Sequence, residues 1–408
     1  MRVRSWTFLV VIALLAGMVA DVTAAPLRQY GYFSSRYERT FSEPGLDGGG
    51  NTVYLDAPGA WSHPSLNLMF QQQVNDNVKA FLNINGSGAG TLDVRNMWGE
   101  YSFNSAFNLR VGKIYRTLGL YNEILDAVPM YIGIEAPELF DADHLMVSRT
   151  TQLMAYGSRE LGDGSLRYTL SMDNGEGEPV LDVYPLCLDL RYSTGNDQLT
   201  FGTSLYSSNG ALTPDKSPGE GSPKGGILPW MAEDNFKVFG GYTQLNAKSW
   251  IVQFEYWQSP HDAVRDASLV VDVVNSAGVN EAQLDRFLLD VTRAPDDTNV
   301  RVPVKFDVKT WYLRSGYSFT SNAGEWVPYM QWDWYSNPET IAAKTWGGDN
   351  EAGVADDGKF NKATLGLIFR PVPQVALKLD GSTHMYKFNG KNEKYSEVRF
   401  DISYVFGL

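Results

Sequence analysis

The chain has 408 residues but only one cysteine, Cys187, so it can form no internal disulfide. Packing and hydrogen bonds alone must hold the fold. Cys187 lies in Leu186-Cys187-Leu188, with no thiol or metal-ligand spacing around it, and reads as a small filler residue. Histidine is scarce too: His63, His144, His261 and His384 are the four, and no His/Cys spacing suits a metal. None is accompanied by a nucleophile motif, which argues against an enzyme. Gly48-Gly49-Gly50 has no helix pattern behind it, so it is no phosphate cradle, and nothing calls for a cofactor. Acidic residues outnumber basic ones, 47 to 34, and the net charge of −13 leaves no nucleic-acid footprint. No interior run approaches the roughly 18 apolar residues a membrane helix needs.

One apolar stretch does stand at the N-terminus. Arg2 and Arg4 precede Trp6–Ala20, and Val22-Thr23-Ala24 follows. That is the layout of a secretory signal peptide, with cleavage expected after Ala24 and a mature chain of 25–408. The whole chain is rich in aromatics, with 22 Tyr, 20 Phe and 11 Trp, and in glycine at 39. A barrel whose strands meet lipid with only every second residue has this polar average with many rings. The composition also suits a soluble β protein, so the pattern has to decide.

The pattern is one of alternating connections. Short turns are expected at Asn75–Asn77, Asn104–Ala106, Gly162–Gly164, Gly195–Asp197, Ala247, Ser321–Gly324 and Pro371–Pro373. Between them lie long gaps, notably Ser42–His63, Arg116–Ser148, Ser208–Glu233, Ser259–Pro303 and Asn337–Asp357. Short turns on one side and long loops on the other predict an all-β fold, a transmembrane antiparallel β-barrel. The segments between the gaps alternate with period two. Leu166, Tyr168, Leu170 and Met172 oppose Arg167, Thr169 and Ser171; Phe400, Ile402, Tyr404 and Phe406 oppose Arg399, Asp401 and Ser403. Strands are expected near 28–41, 64–74, 78–85, 91–103, 107–115, 149–160, 165–172, 186–194, 198–207, 235–246, 249–258, 304–320, 325–336, 358–370, 374–387 and 394–408. An even count returns both ends to one side, here the periplasm, and puts the long loops outside. Aromatics near strand ends, among them Tyr32, Phe33, Trp326, Tyr329, Trp332, Tyr335 and Tyr404, are expected in interfacial girdles.

Two gaps carry more than length. Arg116–Ser148 holds Ile124, Leu125, Val128, Ile132 and Ile134 together with Glu123, Asp126, Glu135, Glu138, Asp141 and Asp143. So apolar a loop suits packing inside the barrel as a constriction; an extracellular cap or subunit contact is the other reading. In Ser259–Pro303, Asn280-Glu281-Ala282-Gln283 has the form of a helix cap, and Leu284, Phe287, Leu288 and Val291 follow at helical spacing. A small helical extracellular insertion is expected there.

The run Leu109-Arg110-Val111-Gly112-Lys113-Ile114-Tyr115-Arg116-Thr117-Leu118-Gly119-Leu120, with Leu145-Met146-Val147-Ser148-Arg149 beyond the loop, resembles the phosphate-selective porin family and its relatives. That family runs a V-G-K/Q-aromatic strand into a P-F-G-L-like turn, and here Thr117-Leu118 stands where Pro-Phe is usual. The resemblance implies sixteen strands, a homotrimer in the outer membrane among lipid and lipopolysaccharide, and passage of anions or small polar solutes. The polar strand faces present Arg110, Arg167, Arg191, Arg314, Lys362, Lys378 and Arg399 as pore-lining candidates, against Asp189, Glu255, Asp333, Asp380 and Asp401. Charged rings set pore selectivity, so this mildly basic wall and the acidic loop, with Arg116 its one cation among those acids, pull in opposite directions. The expected function is a passive channel for small hydrophilic solutes. A substrate-specific channel for sugars, aromatic acids or phosphate, with Tyr206, Tyr312 and Tyr329 as stacking residues, and a non-conducting structural barrel stand beside it.

Overall fold

The computed structural model describes residues 25–124, 129, 131–138, 145–146, 149–175, 183–211, 227–228, 230–266, 301–340 and 350–407. The leader, the helix cap at Asn280, His144, Asp126, Asp141 and Asp143 fall outside these residues.

Sixteen long strands close into one antiparallel barrel. They are β1 (Arg28–Phe41), β2 (Ser65–Gln73), β3 (Val78–Ser87), β4 (Leu92–Asn104), β5 (Phe107–Tyr115) and β6 (Arg149–Leu161). Next come β7 (Gly164–Asp173), β8 (Leu186–Ser193), β9 (Leu199–Ser207), β10 (Met231–Ala247) and β11 (Trp250–Asp266). The last five are β12 (Arg301–Tyr317), β13 (Gly324–Ser336), β14 (Lys359–Val372), β15 (Val375–Phe388) and β16 (Lys391–Phe406). Each pairs with the next, and β1 closes the ring on β16 in the register Ser34↔Ser403 to Phe41↔Ser396. Two short segments, Ala60–Trp61 and Phe319–Ser321, extend the pairing at the rims, and a hairpin of Glu43–Leu46 with Thr52–Leu55 stands in the first loop.

Alternation sorts the side chains as the sequence expects, polar inside and apolar outside. On β14 and β15 Leu365 and Leu379 are 71 % and 51 % exposed, while Lys362, Thr364, Lys378 and Asp380 are buried. Val111, Leu153, Leu170, Phe239, Leu313, Met330 and Val398 continue the outer apolar band. This sidedness is the reverse of a soluble sandwich, and it lets the strands satisfy their backbone in the ring while leucine and phenylalanine meet hydrocarbon. At the short-turn end Phe103, Phe107, Phe201, Trp250, Tyr317, Phe319 and Tyr404 point outward as a girdle. Tyr32, Tyr329 and Tyr335, expected in the girdles, are buried on the inner face instead. Period two makes face a matter of one residue, and proximity to an end cannot settle it.

The sixteen expected strands all form, with differences at the loop end. The β10–β11–β12 wall is taller than its pattern suggested: β10 starts at Met231, β11 runs to Asp266 and β12 starts at Arg301. The expected insertion at 259–303 therefore narrows to 267–300, which lies outside the described residues. Pro260 and Asp262 sit on the outer face of a strand that continues past the apolar band. There Asp262 pairs with exposed Lys305 at 2.8 Å. Connections at the loop end are also less uniform than expected, since β15 and β16 are joined by Asn389-Gly390 alone, both at positive φ (50° and 76°). Asn-Gly in that conformation is a tight hairpin turn.

Candidate functional site

The lumen is where the polar faces converge, and its contents follow from the loop after β5. That strand ends at Tyr115, and Arg116 turns inward to meet Asp173 at the end of β7 (Nε to Oδ2, 2.7 Å), with Tyr206 of β9 under its guanidinium at 4.5 Å. Gly119, at φ +63°, donates its N–H to Ser204 Oγ (3.2 Å), and its carbonyl accepts from Arg191 Nη2 (2.8 Å). A Cβ at Gly119 would strike the Glu255 carboxylate, so glycine is required by both backbone and space. Glu255 accepts from the Leu120 N–H at 3.0 Å and from the Tyr312 hydroxyl at 2.7 Å. Tyr121 donates to Gln253 Oε1 (3.0 Å) and accepts from Arg314.

Farther on, the loop lies against the opposite wall. Lys378 Nζ donates to the carbonyls of Tyr131 (3.0 Å) and Gly133 (2.7 Å). Arg36 Nη2 donates to the Ile134 carbonyl at 3.0 Å, and Arg314 Nη2 to that of Glu135 at 3.2 Å. The Glu135 carboxylate then takes three cations: Arg36 at 2.8 Å, Lys362 at 3.1 Å, and Arg399. Glu138 also accepts from Lys362 and donates its N–H to Asp333 Oδ1 at 3.3 Å. In these residues the loop touches β7, β8, β9, β11 to β16 and β1. Burial raises the Tyr121 and Tyr131 hydroxyls above the usual tyrosine value, so both stay neutral.

An apolar core fills the same side. Leu118, Tyr121, Tyr131, Leu145 and Met146 of the loop pack with Tyr206, Phe236, Trp257, Tyr312 and Trp230. Tyr206, Tyr312 and Tyr329, proposed from sequence as stacking residues, are 0 %, 0 % and 5 % exposed, and so offer no face to a solute. Cys187 is buried with its thiol 3.5 Å from the Thr117 carbonyl, a filler as expected.

The seven basic candidates thus separate. Arg314, Lys362, Lys378 and Arg399 are buried beneath the loop, and Arg191 is half-buried against Gly119, with Glu123 at 3.7 Å. Arg110 and Arg167 lie on the wall that the described loop residues leave uncovered, β2 to β6 with the turn side of β7. There Glu100 is the hub: Arg110 donates from Nε (2.9 Å) and Nη2 (2.6 Å), the Tyr156 hydroxyl at 2.6 Å and Lys79 Nζ at 3.3 Å. Arg110 stands over Trp98 at 4.0 Å and Tyr156 at 4.9 Å, and Phe81 stacks on Trp98 with centroids 5.1 Å apart. Sequence reasoning missed Arg36, Lys79, Phe81, Trp98 and Tyr156. Alternation along β3 and β4 was the available signal, weakened by the register shift at Asn83.

One arrangement looks catalytic. Ser259 Oγ lies 2.9 Å from His261 Nε2, and His261 Nδ1 lies 2.8 Å from Asp234 Oδ2. The sequence placed His261 in a loop without partners; it is in β11, and its partners arrive through strand alternation and pairing. Ser259 is 0 % exposed, and the imidazole is sandwiched between Phe236 and Phe306 at 4.9 and 4.4 Å. A buried hydroxyl under a clamped ring offers no approach to an acyl group, so the chain ties β10 to β11. Among the described residues no group of His, Cys, Asp and Glu could hold a metal ion.

No family model and no curated protein sequence matches the chain. Solved structures do. An anion-selective porin from Comamonas acidovorans matches with a TM-score of 0.54 and 12 % identity, over 94 % of this chain and 100 % of that one. The outer membrane channel DcaP of Acinetobacter baumannii gives 0.52 and 13 %, over 94 % and 97 %. The outer membrane protein OmpT of Vibrio cholerae, in a trimer form, gives 0.50 and 10 %, over 94 % and 99 %. At these identities what is shared is the fold, a closed β-barrel.

Proposed function

We propose that the chain is an outer-membrane porin: a passive channel for small hydrophilic solutes with a mild preference for anions, inserted after removal of residues 1–24. One observation carries the reading. Acids of the loop and bases of the wall, which pull against each other in sequence, meet in space among the described residues: Glu135 and Glu138 pair with Arg36, Lys362 and Arg399. Those charges largely cancel, and the Arg116–Ser148 loop acts as the constriction. Selectivity then falls to the uncovered wall, where Lys79, Arg110 and Arg167 stand against Glu100 and, at the turn rim, Glu160. Within a Debye length of about 8 Å such an excess favours anions. Lipid and lipopolysaccharide surround the apolar band, and a homotrimer is the assembly. The solutes include phosphate among other small anions, without a dedicated phosphate cage.

A planar bilayer under a KCl gradient tests this. Reversal toward the chloride potential is expected; a strongly cation-selective current overturns the anion preference. A second reading, a sealed structural barrel, is favoured by the apolar core beside β8 to β12. Zero conductance from folded protein would establish it and overturn the channel.

A further inference from the structure

The uncovered wall carries a feature that a general pore does not need. Phe81, Trp98, Arg110 and Tyr156 come from four successive strands, β3 to β6, and form one ladder of stacked planar groups. Phe81 and Trp98 are 5.1 Å apart at an interplanar angle of 23°, and Arg110 fits between Trp98 and Tyr156. All four are only partly buried, in the half of the barrel nearer the short turns. The tyrosines on the loop side, by contrast, are sealed.

The geometry selects a ligand class. Phe81 and Arg110 come from the strands on either side of β4, so both faces of the Trp98 ring are occupied. A sugar, which stacks its C–H face on an open ring face, finds none on Trp98. The edge of Trp98 is what it offers a ligand, and an aromatic edge is the positive part of the quadrupole. Edges attract the π face of another ring and repel cations. The polar part of the ladder is cationic: Glu100 is shared between Arg110 and Lys79, so two positive charges answer one negative. Arg110 spends Nε and Nη2 on Glu100 and Tyr156, leaving Nη1 without a hydrogen-bond partner among the described residues. Glu100 also holds that guanidinium in place, so a carboxylate meets a preset donor.

We propose that this ladder is a subsite for small aromatic carboxylates, with the carboxylate on Arg110 and Lys79 and the ring against the edges of Phe81 and Trp98. The assignment rests on the channel reading above. It names the solute class for which the channel is more than a sieve.

Benzoate, cyclohexanecarboxylate and acetate are the probes, each titrated at equal concentration into KCl bathing the full-length protein in a planar bilayer. Benzoate is expected to lower the chloride current far more than the other two. Trp98→Leu should weaken the benzoate block about tenfold, the size of one aromatic pair. Arg110→Gln should weaken the block and also lower chloride preference. Should Trp98→Leu fail to assemble, Phe81→Leu and the three-acid comparison on the wild type serve the same purpose. Current with all three acids acting alike overturns the subsite and leaves the channel standing. A block that survives Trp98→Leu also overturns it. No current overturns the channel and, with it, the subsite.

Discussion

Glu135→Gln is the sharpest perturbation of the lumen. The wild-type carboxylate receives Arg36, Lys362 and Arg399, from three strands that close the barrel around β1. Glutamine keeps one acceptor oxygen but turns an amide N–H₂ toward three cations. Hydrogen bonds to charged groups contribute about 1.5–3 kcal/mol each. Glu135 remains 33 % exposed, so solvent screens part of that. A loss of about 3 kcal/mol for the contact set is the working figure, roughly a hundredfold in the equilibrium between docked and undocked loop. The backbone contacts of Tyr131, Gly133 and Ile134 persist, so the loop should loosen rather than leave. The expected record is a higher, noisier single-channel conductance, with the reversal potential shifted toward chloride because a negative charge has gone. Folding is checked by heat-modifiable gel mobility. The double variant Glu135→Gln/Arg399→Gln should show less than the sum of its parts. Conductance and reversal potential identical to wild type, in a folded barrel, would refute the latch.

Other perturbations test other joints. Gly119→Ala places a Cβ against the Glu255 carboxylate at a positive-φ position, so it should undock the start of the loop and raise conductance as Glu135→Gln does. Wild-type conductance from this variant would count against that anchor. Arg110→Gln should move the reversal potential away from chloride, whereas Lys378→Met, buried under the loop, should leave it nearly in place; the opposite ranking would sink the assignment of selectivity to the uncovered wall. Ser259→Ala should leave conductance unchanged, and the wild type should resist fluorophosphonate labelling. Labelling at Ser259 would show that its hydroxyl is reachable and the structural reading mistaken.

How much of this was legible in the chain depends on the range of the interaction. Period two is local, and it placed all sixteen strands and the inside and outside of most. The errors arose where a local rule met a longer context. Pro260 and Asp262 break strands in general, but on β11 they stand on an outer face beyond the apolar band, where Asp262 pairs with Lys305 of the next strand. Tyr329 and Tyr335 sit near strand ends as girdle residues do, yet they share parity with Gln331 and Asp333 and so face inward. The relay of Ser259, His261 and Asp234 needs two strands in register and was invisible one strand at a time.

The lumen charges give the clearest example. Counting acids on the loop and bases on the wall is correct as composition and misleading as electrostatics, because a charge matters to a passing ion only when no counter-charge holds it. Glu135 is separated from Arg36 by 99 residues and from Arg399 by 264, and no spacing rule reaches that far. Which cations remain available is therefore a property of the path of the loop. That path covers Lys362, Lys378 and Arg399 while leaving Arg110 beside a single shared carboxylate. Two arginines equivalent in the strand pattern, Arg110 and Arg399, thus end in opposite settings: Arg399 is buried under the loop against Glu135, and Arg110 stays partly open to the lumen.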